Sequence, residues 1–146
     1  MNEISQQPSA TGEVSIFDEV KPLPVYYSEK AIRIFCILFS VFFGSIMMAM
    51  NLKRTESKKG VWEVLIFGFV YSVVEIVALS YVPKSNSVYA FVLNAGGAYA
   101  INYFFWKKYI GADTPYTSRS VLVPAIIGIV VLVIFVAIAV MSLNLV

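Results

Sequence analysis

The stretch Val61–Val82, VWEVLIFGFVYSVVEIVALSYV, limits what this chain can become more than any other. As a helix rising ~1.5 Å per residue it covers about 30 Å, the thickness of bilayer hydrocarbon. It is apolar on nearly every side, so lipid or other helices must surround it. One carboxylate, Glu75, sits well inside the run. An acidic side chain at that depth costs ~2.5–3.5 kcal/mol, so it needs a partner or a purpose.

Three more runs share this character: Ala31–Leu52, Ser87–Trp106 and Val121–Ser142. With 59% of 146 residues hydrophobic and 14% charged, the chain has more apolar surface than a soluble domain of this size can hide. The expected fold is all-α: a polytopic membrane protein with four transmembrane helices over about 31–52, 61–82, 87–106 and 121–142. Residues 29–146 form the membrane domain and residues 1–28 a flexible polar N-terminal tail. The early tail, NEISQQPSATGE, offers too little apolar surface to offset the entropy of ordering. Pro22 and Pro24 then stop any helix, and Tyr26 and Tyr27 are expected in the headgroup layer.

Local signals mark the ends of the spans. Ser28 is a candidate N-cap, with Glu29 favourably placed in the first turn. Pro83–Asn86 reads as a tight turn joining the second and third spans. Pro124 falls in the first turn of the last span, where a missing N–H costs little. With four crossings, Lys53, Arg54, Lys58, Lys59, Lys107, Lys108 and Arg119 share one side. Lys21, Lys30, Arg33 and Lys84 fall on the other. The positive-inside rule then makes both basic loops cytoplasmic and both termini external.

Small residues suggest where helices touch. Cys36, Ser40 and Gly44 recur every four residues in the first span, forming a stripe that lets another helix approach closely. Gly68 and Gly97 are expected to do the same in the second and third spans. Around them lies the candidate intramembrane polar site of Glu75, Asn94, Tyr71 and Ser72. In an antiparallel hairpin about the Pro83–Asn86 turn, Glu75 and Asn94 come to the same depth, ~10 Å below one surface. Faces drawn at 100° per residue turn both toward the shared contact. A protonated Glu75 donating to the Asn94 carbonyl would act as interhelical glue worth ~0.6–2 kcal/mol. The same carboxylate could instead serve a proton or cation path.

The remaining polar groups have simpler expected roles. Glu63 should pair with Lys59 or Lys107 at the interface, and Asn51 and Asn102 lie near span ends where water can satisfy them. Trp62, Trp106, Tyr103 and Tyr109 read as one aromatic belt, Tyr81 and Tyr89 as the other. There is no histidine and a single cysteine, which excludes the usual zinc, haem and disulfide frameworks. No pair of groups reads as acid and base or nucleophile and base, so neither catalysis nor a cofactor is expected. A net charge of +2 does not indicate nucleic acid.

The run LFSVFFGSIMMAMNLKR, followed by a second span and then FFWKKYIG before a proline-containing last span, resembles small four-span bacterial inner-membrane domains of unknown function. The resemblance covers roughly residues 31–127. It implies a bacterial inner-membrane location and no assigned activity. The size is also similar to the small multidrug resistance transporters, but those hold their membrane carboxylate in the first span, whereas here it is Glu75 in the second. The expected role is non-catalytic: an accessory, scaffolding or protective subunit acting through helix–helix contacts. Its expected partners are the lipid bilayer, another copy of the chain or another membrane protein. The alternative is a proton-coupled transporter or channel subunit using Glu75.

Overall fold

Helix α1 begins where the sequence indicates, because Ser28 Oγ accepts the Ala31 N–H at 3.2 Å and Glu29 fills the first turn. The computed structural model describes residues 22–82 and 88–143; residues 1–21 of the expected 1–28 tail and the Pro83–Asn86 turn lie outside the described residues, whereas the end of that tail is ordered, with Val25–Tyr26 in a strand and Tyr26 and Tyr27 buried. The described part is mainly helical, in agreement with the all-α expectation.

The first expected span is not one helix. α1 covers Glu29–Leu38, and α2 starts afresh at Val41 and runs to Arg54. Between them Ser40 adopts extended backbone (φ −179°, ψ 161°) and caps α2 by accepting the Phe43 N–H at 3.2 Å. The chain reverses there, so α1 and α2 form an antiparallel helical hairpin. Cys36 and Gly44 face each other across it so closely that a Cβ on Gly44 would overlap the Cys36 sulfur. Phe35, Phe39 and Phe43 stack over the turn with centroids 5.4–5.6 Å apart. At the open end, the amide of Asn51 bonds both backbone groups of Tyr27, each at 2.8 Å. Helical periodicity alone cannot reveal this reversal, because a serine N-cap inside an apolar run looks the same as a serine in a continuous helix.

From Arg54 the chain turns through Thr55–Ser57, with Glu56 in the left-handed region (φ 59°), and enters α3, Lys58–Ser80. α3 packs along α2: a Cβ on Gly68 would overlap Ser45 and touch the Phe42 backbone. α4, Val88–Ala100, continues into a π-helical segment, Ile101–Trp106, and a last turn α5, Lys107–Tyr109. The wider π turn changes which side chains face inward, so Ile101, Phe105 and Trp106 are all buried. Gly111 (φ 96°) then redirects the chain, a conformation only glycine adopts without strain. The loop beyond it carries β2, Thr117–Ser118, which pairs in parallel with β1, Val25–Tyr26. Thr117 N–H donates to Pro24 O at 2.9 Å, and Arg119 N–H to Tyr26 O at 2.7 Å.

The last helix, α6, covers Leu122–Leu143. Among the described residues two helices, Lys58–Ser80 and Leu122–Ser142, are long and apolar enough to cross a membrane. The core lies at the hairpin end of the molecule, where Tyr26, Tyr27, Ile32, Met47, Met48 and Leu52 meet Val64, Ile101 and Trp106. α6 stands largely outside it. Its window is only 12% buried, and it meets the body through Ala125 and through Gly128, which lies under the Phe39 ring at the hairpin tip.

Candidate functional site

The polar residues expected to form one site separate onto two helix faces. On α3 the buried stripe is Gly60, Val64, Gly68 and Glu75, and at Gly68 it packs on α2. Because α2 begins at Val41 and Gly68 packs beside Phe42, Glu75 lies about two helical turns beyond the hairpin tip. It is 8% exposed and has no hydrogen-bond partner among the described residues. Asn94 belongs to a different stripe, with Gly97, Ala98 and Ile101. That stripe faces both the hairpin and α3, since a Cβ on Gly97 would overlap Val41 and press on the Tyr71 ring.

The expected Glu75–Asn94 hydrogen bond is not formed. The α3–α4 link is made instead by Tyr71, whose hydroxyl donates to the Leu93 carbonyl at 2.7 Å. Ser72 Oγ and Asn94 Oδ1 are both buried without a partner among the described residues. Tyr71 and Glu75, four residues apart, are neighbours on one face of α3. These four residues thus make a loose polar seam rather than a closed network. Its groups can hold water or a proton, and none is positioned as a nucleophile beside a base.

The small residues divide in the same way. Gly68 and Gly97 are points of close helix approach, as expected. Cys36, Ser40 and Gly44 do not form an outward stripe, because the hairpin turn falls at Ser40 and turns Cys36 and Gly44 toward each other. Cys36 is fully buried there.

The opposite end of the molecule is richer in polar contacts than the sequence suggests. Asn51 is buried rather than hydrated, with both amide groups used by Tyr27. Asn102 donates to Glu29 Oε2 at 2.8 Å. Glu63 accepts from Tyr109 at 2.5 Å and from Lys108 at 3.2 Å, and lies 3.7 Å from Lys59. The expected Lys59 is thus one of its partners, and Lys108 takes the place of Lys107, which sits over the Tyr103 ring. Trp106, expected in an interfacial belt, is instead buried in an aromatic cluster with Tyr26 and Tyr116. Tyr27 is also buried, beneath the guanidinium of Arg119 at 4.9 Å.

The Tyr26–Tyr27 pair next to Ser28 was legible as aromatic anchoring, but its burial needs the 117–119 segment, which is remote in sequence. Among the described residues no three potential metal ligands converge. No known protein family, curated protein or solved structure matches this chain.

Proposed function

We propose that this chain is a small integral membrane protein in which the α1–α2 hairpin dips into one leaflet and returns. In this reading α3, the α4–α5 rod and α6 are the crossings. The Tyr27–Asn51 closure and the β1–β2 pair support it, because they hold Val25, Arg54 and Thr117 at one end of the molecule. α1 is roughly 15 Å long, half the hydrocarbon thickness, and its tip meets Gly128 about 9 Å along α6. Every basic residue of the described chain then lies at the same end, a stronger positive-inside bias than four crossings give. That end is cytoplasmic, so the segment around Leu23 is inside and the end of α6 is outside. A bacterial inner-membrane location is consistent with this arrangement.

Within the membrane the role is non-catalytic. The chain is an accessory, scaffolding or protective subunit that works through helix contacts. The observation that carries this reading is α6, an apolar rod with little of its surface covered by the rest of the chain. Without a hydrophobic drive between helices in lipid, such a rod is held by packing, and it is free to pack on another helix. A disulfide cross-linking scan along the exposed positions Ile126, Ile129, Val133 and Val136 in native membranes tests the role. Cross-links recurring at helical spacing support it, and a scan with no product at any position rejects it.

A second reading has its own observation. Glu75 is buried without a described partner beside a seam that contains two orphaned polar atoms. On that reading Glu75 is the ionisable site of a proton-coupled transporter or channel subunit. Infrared titration of the protonated carboxyl band, wild type against Glu75→Gln, separates the two. A Glu75 band that titrates between about pH 6 and 8 favours transport, and one that persists to about pH 9 favours the structural role.

A further inference from the structure

At the basic end, a groove of ≈ 630 Å³ opens between the start of α1 and the start of α6. Its rim carries Lys30 and Arg119 with the hydroxyls of Ser28, Ser118 and Ser120, and its floor is Ile34, Phe35 and Val121. Arg119 also borders a second cavity of ≈ 460 Å³, shared with Lys53 and Arg54. Among the described residues no carboxylate lines either cavity. Two of the acids at this end are engaged elsewhere, Glu29 by Asn102 and Glu63 by Lys59, Lys108 and Tyr109. Arg119 is held in place by the backbone bond to Tyr26 and by stacking on Tyr27, so its guanidinium is preorganised beside the groove.

We propose that this groove is a binding site for one anionic glycerophospholipid. The phosphate sits between Lys30 and Arg119, and an acyl chain follows Ile34 and Val121 down the α1–α6 seam. The proposal rests on the membrane reading above. Two features favour a lipid over a free phosphate. The cationic rim lies directly above an apolar floor, which contributes nothing to holding an inorganic anion. Ile34 and Val121 are also partly exposed on that floor (42% and 36%), where an acyl chain would cover them. Arginine matches a phosphodiester with paired donors, and lysine adds a point charge.

The test uses the full chain in a neutral detergent, with native mass spectrometry to count bound lipid. Phosphatidylglycerol and phosphatidylcholine are titrated separately, against wild type, Lys30→Gln, Arg119→Gln and the control Lys59→Gln. Lys59→Gln removes the same charge from the same end but outside the groove. One saturable phosphatidylglycerol site is expected, with phosphatidylcholine at least about fivefold weaker. Each groove substitution should weaken phosphatidylglycerol about fivefold, the factor expected for one charge near an anionic lipid. Lys59→Gln should change it by less than about twofold, and millimolar inorganic phosphate should not displace the lipid. Lys30→Gln removes an exposed side chain, so it reports even where Arg119→Gln disturbs the fold.

Equal binding of the two lipids overturns the proposal, as does an equal loss in Lys59→Gln, which marks diffuse attraction. Displacement by inorganic phosphate overturns it in favour of a phosphate site. Uptake of phosphatidylglycerol only in an Asp18→Asn/Glu19→Gln variant overturns it in favour of the chain's own acidic segment. These outcomes are read in detergent and do not depend on which side of a membrane the groove faces. Failure of the lipid site is therefore distinct from failure of the topology, which side-specific labelling reads.

Discussion

The side chain of Asn51 and the backbone of Tyr27 are joined by two hydrogen bonds of 2.8 Å, donated in opposite directions. Twenty-four residues separate them, and both are about 1% exposed. The amide takes the place of a neighbouring strand, satisfying a buried N–H and C=O that no helix reaches. It also fixes the two ends of α1–α2 together, which turns a span-length segment into a hairpin.

Asn51→Leu should therefore destabilise the protein by about 3 kcal/mol, because it leaves two buried backbone groups unpaired at about 1–3 kcal/mol each. Thermal unfolding in detergent measures the loss. Release of the β1 segment gives a second readout: proteolysis near Leu23 should accelerate. A stability change below about 1 kcal/mol would show that water replaces the amide.

On the proposed topology the hairpin also sets sidedness. Single cysteines at Leu23 and Ser118 should react with an impermeant reagent from the same side of sealed vesicles, and one at Ser142 from the opposite side. The background carries Cys36→Ala. If positions 23 and 142 label together, with 118 opposite, the chain crosses four times and the hairpin does not persist in the bilayer.

Neighbouring glycines should differ sharply. Gly97→Ala forces a methyl into Val41 and Tyr71, so a loss of about 1–3 kcal/mol is expected in thermal unfolding. A Cβ at Gly96 meets only the Tyr71 hydroxyl, at 3.3 Å, and Gly96→Ala should be neutral or slightly stabilising through lower chain entropy. Equal effects at the two positions would count against the α2–α3–α4 junction described.

Asn94→Leu offers the opposite kind of contrast. Its Oδ1 has no partner among the described residues, so an isosteric apolar replacement should change stability by less than about 1 kcal/mol. Tyr71→Phe removes a formed bond to Leu93 and should cost about 0.6–1.7 kcal/mol. Parallel unfolding of the two variants checks the order. A larger loss at Asn94 than at Tyr71 would restore asparagine as the interhelical link.

Some of this was legible from the chain alone. The Ser28 cap and the close approaches at Gly68 and Gly97 follow from residue type and spacing, because each rests on contacts within a helix or on the absence of a side chain. The pairing of Glu75 with Asn94 was drawn from equal depth and a 100° wheel. The bond is not formed; Tyr71 links α3 to α4 through the Leu93 carbonyl instead, and Asn94 Oδ1 has no partner among the described residues. The burial of Trp106 depends on the π segment, which shifts the inward face beyond Ile101 and leaves no mark in composition.

By itself, the sequence determined the helical class, the apolar lengths and the concentration of cations beside the helix ends. Those properties belong to single segments, where hydropathy and capping act over a few residues. Only the tertiary structure decided that residues 29–54 fold back on themselves and that Asn51, Arg119 and Trp106 gather around Tyr26 and Tyr27. That outcome was set by buried backbone groups needing hydrogen bonds, and their partners lie far away in the chain.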